Sequence, residues 1–272
     1  MSESKAYISE SEVQQFRAEG YLIVRGLFGT EEVEEIKTEF MQLHQAGPVE
    51  RLFHPVPEDQ ANGDILKQYP RFMHPHRVNE LSMRYMIHPR VMHVLHDLFG
   101  EEALAAQSMF YYKPPGARGQ ALHQDNFYLL VEPGTCIAAW TSVDRSDEDN
   151  GGLYIVPRTH EETIQCPNEA DPSVSFTTHE VVVPDGCKPV PVILEPGDVL
   201  FFNGNVIHGS YPNTSKDRFR RSFICHYTGV STTKISNFYS PLYTEDGTAI
   251  HDIEHNGSGG PCGEEYAVMG PH

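Results

Sequence analysis

In the stretch LHQDNFYLL, residues 122–130, a histidine and an aspartate stand two apart within an apolar and aromatic run. In an extended chain alternate side chains share a face, so His123 and Asp125 project together while Gln124 points away. An imidazole and a carboxylate on one face of a buried strand form ligand geometry if a cation sits between them. The third protein ligand must come from a distant strand. His208, in GDVLFFNGNVIHGSY, is the candidate: EPGD reads as a turn, VLFF as a buried strand, NGN as a second turn and VIHGSY as the returning strand. Gly209 beside it leaves room for something to approach closely.

Two histidines and one carboxylate make the facial triad that holds non-haem Fe(II) and leaves positions open for a co-substrate, water and oxygen. An enzyme of this type uses 2-oxoglutarate, whose distal carboxylate is best held by a bidentate guanidinium. In DRFRRSFICHY, alternation places Arg220 on one face with Ser222 and Ile224, Arg218 at the turn and Arg221 on the opposite face. Each signal alone is ordinary. The chain has 15 histidines, a strand histidine is more often hydrogen-bonded than metal-bound, and three arginines can simply solvate an edge strand. Their conjunction carries the reading.

The elements that must position these residues are legible in outline. SESEVQQFRAEG offers a serine cap and a closing Gly20, and GTEEVEEIKTEFMQLHQAG opens at Thr30 with acidic first-turn residues and closes at Gly47. YLIVRGLF between them reads as a short strand. Residues 48–77, rich in proline and histidine, read as a long surface loop. A third helix over roughly 82–98 contains a proline that interrupts or begins it. From about residue 104 short β-like runs follow one another between Gly, Pro, Asn and Asp, the pattern of a sandwich or jelly roll. The expected fold is mainly β, with N-terminal helices against a jelly-roll core. The 272 residues are expected to form one catalytic domain: a helical part to about 100, a β core over 101–243 and an irregular tail over 244–272.

Hydrophobic content of 39% with 21% charged residues is ordinary globular composition, and no run of about 18 apolar residues suggests a membrane span. A net charge of −18 repels phosphate backbones and anionic headgroups, which argues against nucleic acid and membrane as partners and points to a small-molecule substrate. The start of the chain lacks a basic, then apolar, signal pattern. Five cysteines without a CxxC pair argue against a disulfide framework and a zinc knuckle, and a reducing cytoplasm is the expected location. Oligomeric state is not legible.

The motifs GYLIVRGLF, YYKPPG, LHQD, AAWTSVDRSDEDNGGLYIVPRTH, GDVLFFNGNVIHGS and FRRSFICHY together resemble the phytanoyl-CoA dioxygenase family of Fe(II)/2-oxoglutarate oxygenases. The resemblance implies a double-stranded β-helix (a cupin-like jelly roll), iron on His123, Asp125 and His208, and 2-oxoglutarate paired with Arg220 and hydrogen-bonded by Ser210. Arg218 is the alternative partner, because some relatives have one residue fewer between the histidine and the arginine. Met109 and Trp140 match positions that contact the co-substrate, and Lys113 matches a basic residue doing so in the ectoine-hydroxylase branch, where Gln107 matches a substrate contact. Human-type enzymes have a lysine where Glu80 stands, which counts against phytanoyl-CoA as substrate. Asp125 occupies the position that halogenases of the family vacate for chloride, which counts against chlorination.

The expected reaction is hydroxylation of a small polar metabolite with release of succinate and CO2. Desaturation, epimerisation, ring or peroxide formation are alternatives on the same scaffold, and a non-redox cupin-like metal protein is a more distant one. Around the metal, Asn126, Phe127, Gln107, Tyr111 and Arg145 are the candidate substrate contacts, Phe127 because it shares the metal-facing side if the strand stays regular. KQYPRFMHPHR concentrates Lys67, Arg71, His74, His76 and Arg77 in an acidic chain, the composition of a lid that meets an anionic or polar substrate group or, equally, of a solvated loop.

Overall fold

The computed structural model describes residues 7–257 and 260–263. Helix α1 (Glu10–Glu19) opens on a complete capping box: Ser9 accepts from the backbone of Glu12, whose carboxylate receives the N–H of Ser9 at 2.7 Å. It ends on Gly20 in the left-handed region. Helix α2 (Thr30–Ala46) is capped one residue earlier than expected, at Gly29, whose N–H is held by Glu32 at 2.8 Å. A short helix α3 (Ile65–Gln68) lies within the expected loop. The expected third long helix is two helices, α4 (Glu80–Met86) and α5 (Pro89–Phe99), because the proline sits in the first turn of the second, where its missing N–H costs nothing. The turn α6 (Asn126–Leu129) follows the HxD pair.

Two antiparallel sheets build the core. The larger runs β1 (Tyr21–Val24), β10 (Val199–Asn203), β5 (Ile137–Ser142), β12 (Ser222–Gly229), β3 (Ala103–Tyr111), β14 (Leu242–Tyr243) and β15 (Ala249–Ile250), with β2 (Phe72–Met73) also pairing with β3. The smaller runs β4 (Gln120–His123), β11 (His208–Ser210), β6 (Leu153–Ile155) and β9 (Val190–Pro191). Their inner faces share one apolar layer in which Met109, Ala138, Trp140, Leu200 and Ile224 of the larger sheet meet Leu153 and Ile155 of the smaller. The outer face of the larger sheet is covered by the helices through Phe16, Val33, Ile36 and Phe40, which pack with Phe110, Phe223 and Tyr227. At about 25 cal/mol per Å2, a fully buried side chain of this size contributes about 2 to 3 kcal/mol, so the helices are fastened by this seam. This is a jelly roll, a double-stranded β-helix.

Three parts differ from the expectation. Residues 48–77 are not a solvated loop throughout: β2 extends the larger sheet, and Phe53, Phe72, His74 and His76 are buried. Part of the tail is ordered by pairing, β14 with β15 and β13 (Lys234–Ser236) in parallel with β16 (Glu254–Asn256); residues 258–259 and 264–272 of that expectation lie outside the described residues. Cys166 and Cys262 are joined in a disulfide across a sequence separation of 96, while Cys136, Cys187 and Cys225 are free. A pair so far apart has no spacing signature. The Cys166 loop also carries the small hairpin β7 (Asn168–Glu169) and β8 (His179–Glu180). No helix among the described residues is long and apolar enough to cross a membrane.

Candidate metal centre and co-substrate pocket

Strands β4 and β11 are neighbours, and their register sets His123 directly opposite His208. Asp125 Oδ1 lies 3.5 Å from His123 Nε2 and 3.6 Å from His208 Nε2. One ligand atom from each of the three residues lies within 4.8 Å of the others, and all three are buried. The backbone sets both rings: Nδ1 of His123 contacts the Ala121 carbonyl at 2.8 Å, and Nδ1 of His208 the Val206 carbonyl at 3.0 Å. A carbonyl only accepts, so each ring carries its proton on Nδ1 and presents the Nε2 lone pair to the shared space. Two neutral imidazole nitrogens and a carboxylate oxygen suit a divalent transition metal, and the set fits Fe(II).

The carboxylate arrives by a route that strand alternation does not describe. β4 ends at His123, and Asp125 has helical torsions, φ −60° and ψ −36°, leading into α6. Gln124 does point away, bonding Asn205 and Gln165. Because the chain turns, the expected alignment of Phe127 with the metal face fails. Phe127 packs with Tyr128, Leu129 and Ile235 and stands edge-on to His179, while Asn126 Oδ1 accepts from Val131 N at 3.0 Å. Neither lines the pocket around the triad.

The sequence reading missed His226, whose Nε2 donates to Asp125 Oδ2 at 3.0 Å. Its signal was present, since Arg220, Ser222, Ile224 and His226 alternate along one face of FRRSFICHY. Gln120, two strand positions from Leu122, was also missed; its amide nitrogen reaches His123 Nε2 at 3.1 Å. Burial opposes the charged form of Asp125, but the neighbouring His208 and His226, with the hydrogen bond that His226 donates, hold it well below the usual carboxylate range. His208 is pushed down to about 4 by burial and by its neighbour His123. Asp125 is therefore ionised and His208 neutral at pH 7, the states a metal requires.

Beside the triad lie two buried cations. Arg220 is 2% exposed; its Nε donates to the Gly151 carbonyl at 3.0 Å, a second nitrogen donates to Ser222 Oγ at 2.8 Å, and its guanidinium stands 5.3 Å from the Trp140 ring centre. Lys113, 3% exposed, donates to Ser210 Oγ at 2.8 Å. Burial lowers the pKa of Arg220 to about 10, and burial and the repulsion of Arg220 push Lys113 well below the ordinary lysine range. Neither is ion-paired with a carboxylate among the described residues. A buried guanidinium without an anion is costly, and a ligand carboxylate beside Arg220 would offset that cost and favour the charged form of Lys113. Ser210 Oγ already accepts from Lys113 and Gln120 N, which leaves its own proton for a ligand oxygen. Gly151 enables the arrangement: at φ 85° it presents its carbonyl to Arg220, and a Cβ there would stand 2.6 Å from Lys113 Cε. Gly209 admits protein rather than ligand, since a Cβ would stand 2.8 Å from the Gln120 carbonyl oxygen of β4.

Of the remaining candidates, Met109, Tyr111 and Trp140 line the triad pocket with Arg220 and Ser210. Gln107 is fully buried opposite His226 in the β3–β12 register but lies outside that lining. Arg218 is held by Asp147 at 2.8 and 3.0 Å and Arg221 by Asp144 at 2.7 and 2.8 Å, so their charges are already answered. Arg145 is half exposed and paired with Asp147 and Glu195, away from the pocket. A larger cleft, about 610 Å3, lies elsewhere, between Asn126, Glu132 and Asn256.

The profile of the phytanoyl-CoA dioxygenase family matches residues 16–222. The peroxisomal phytanoyl-CoA dioxygenase of Mus musculus is 26% identical over 238 residues, covering 82% of this chain; the chain spans only 63% of that relative's length. Among solved structures, the epimerase SnoN, in a complex with Fe3+, alpha ketoglutarate and nogalamycin RO, superposes with a TM-score of 0.67 at 21% identity, covering 82% of this chain and 84% of its own. The non-heme monooxygenase ThoJ gives a TM-score of 0.68 at 19% identity, covering 90% and 87%. At these identities the superpositions speak for the fold, while the profile match extends over most of the chain from α1 to the first residue of β12. The chain belongs to the phytanoyl-CoA dioxygenase family.

Proposed function

We propose that this protein is an Fe(II)- and 2-oxoglutarate-dependent dioxygenase acting on a small metabolite, with hydroxylation as its default outcome, and that the chain works as one catalytic domain. What carries the reading is the coincidence, in one buried pocket, of the His123–Asp125–His208 set with Arg220, a guanidinium that no carboxylate pairs among the described residues, and with Ser210, which Lys113 holds from behind. A non-redox metal cupin has no use for such a carboxylate clamp beside its ligands. SnoN and a carbocyclase, SnoK, share the fold, so epimerisation and ring formation remain outcomes of the same scaffold.

In this reading His123, Asp125 and His208 hold the iron, and Arg220, Lys113 and Ser210 hold the distal carboxylate of 2-oxoglutarate. Bound there, iron and co-substrate would supply the oxidising equivalents from O2, with succinate and CO2 as by-products. The chain supplies orientation and exclusion of water. Trp140, Tyr111, Met109, Ile224 and Phe202 wall the pocket, which strengthens the Arg220 contact by keeping it desolvated. His226 keeps the Asp125 carboxylate turned so that only Oδ1 faces the two imidazoles.

The test is spectroscopic. Fe(II) and 2-oxoglutarate added without oxygen should give the weak visible charge-transfer band of the chelate in wild type and no band in His208→Ala, and admission of oxygen should then release succinate. A fully metal-loaded protein with no band would overturn the reading in favour of the non-redox cupin.

A further inference from the structure

Arg71 lies between α3 and β2, and the pairing of Phe72 with Phe110 and Met73 with Met109 holds it beside Tyr111, at the end of β3. Its guanidinium stands 5.6 Å from the Tyr111 ring centre and 5.4 Å from that of Phe176, and one nitrogen donates to the Tyr111 hydroxyl at 3.1 Å. The Arg220 guanidinium lies 5.7 Å from the same Tyr111 ring. Tyr111 is therefore a common wall. It lines the triad pocket, and it also lines an outer cavity of about 170 Å3 whose wall includes Tyr69, Arg71, Lys113, Arg118 and Phe176.

The neighbouring cations are all engaged. Arg118, which lines the same cavity, is paired with Asp64 at 2.8 Å and bonds two carbonyls, Arg77 bonds the carbonyls of Phe238 and Ser240, and Lys113, also in the cavity wall, donates to Ser210 of the inner pocket. Arg71 has no carboxylate partner among the described residues, in a chain whose acids outnumber its bases by 18. A mostly buried guanidinium flanked by aromatic rings and left without an acid is a receptor for one. Leu66, Pro70, Phe176 and the rings of Tyr69, Tyr111 and Tyr112 supply the rest of the wall beside the engaged Lys113 and Arg118, and the cavity's volume is below the roughly 300 Å3 at which pockets for drug-sized ligands begin. With Arg118 paired to Asp64 and Lys113 directed to Ser210, one guanidinium is left to match one negative charge, not the several phosphates of a coenzyme A ester.

We propose that this outer cavity is the subsite for the primary substrate, that Arg71 is its specificity-determining residue, and that the substrate is a compact monocarboxylate with an apolar or aromatic body. The inference rests on the oxygenase reading above, in which 2-oxoglutarate occupies the inner pocket. Phenylacetate, 3-phenylpropanoate and hexanoate, each against its amide, are titrated without oxygen into protein loaded with Fe(II) and 2-oxoglutarate. Binding is read from the chelate band and from the fluorescence of Trp140, the single tryptophan of the chain. In wild type at least one acid should bind about tenfold or more tighter than its amide, the scale of a charge-assisted hydrogen bond. Arg71→Gln should reduce that preference to within about twofold while the 2-oxoglutarate titration stays unchanged. No preference in wild type for any pair, or a preference that survives in Arg71→Gln, overturns the proposal while leaving the oxygenase reading standing. A wild-type protein that never forms the chelate band overturns both.

Discussion

His226 Nε2 donates to Asp125 Oδ2 at 3.0 Å, and the opposite oxygen of that carboxylate is the one that faces both imidazoles. The histidine thus orients the carboxylate proposed as a ligand without joining the proposed ligand set. Removing such a partner typically weakens metal affinity about 10- to 100-fold. His226→Ala should show that loss in a Co(II) titration followed by its visible bands, and His226→Gln, which keeps a donor, should recover part of it. Equal affinities in wild type and His226→Ala would show that the turn at Asp125 alone orients the carboxylate.

Arg220 and Arg218 separate cleanly. A buried guanidinium to a carboxylate contributes about 3 kcal/mol or more when its loss leaves the ligand charge unmatched. Arg220→Ala should therefore raise the KM for 2-oxoglutarate about 100-fold or more, whereas Arg218→Ala, which only frees Asp147, should change it less than about twofold. The uncoupled formation of succinate measures both.

Stability should fall in mild acid. Burial and Arg77 hold His74 down to about 2 and His76 down to about 3, against an ordinary 6.5. Both rings are neutral in the folded protein, and the unfolded chain takes up protons below 6.5, so their contribution is intact above that value and is lost progressively as pH falls towards 3. Each histidine should cost about 2 kcal/mol between pH 6.5 and 5. Urea unfolding of wild type and His76→Gln across that range should show the smaller pH slope in the variant, in which an amide can replace the ring that bonds Ser108 at 2.7 Å.

The disulfide between Cys166 and Cys262 closes a long loop. On the chain-entropy account its loss should cost about 3 to 5 kcal/mol, and Cys166→Ser and the reduced wild type should show the same lowered Tm. No change on reduction would mean that the tail is held by its strand pairings alone.

Local patterns written in consecutive residues were sufficient for much of this molecule. The capping box at Ser9, the stop at Gly20, the alternation that puts Arg220 with Ser222 and Ile224, and the short-strand texture of a jelly roll all depend on near neighbours, so the chain order contains them. The identities of His123, Asp125 and His208 as a set were also legible, because their types and order are specific. Tertiary structure decided what depends on distant partners or on one torsion. The turn after His123 brings Asp125 beside the two imidazoles and carries Phe127 and Asn126 away from them, a change of direction that alternation cannot foresee. Asp147 and Asp144 neutralise Arg218 and Arg221 and so leave Arg220 as the unanswered charge, and that selection exists only once strands far apart in sequence meet. The same holds for His226 on Asp125, for the pairing of Cys166 with Cys262 and for the burial of His74 and His76 through β2: each is a contact whose free energy depends on packing, which no window of the sequence samples.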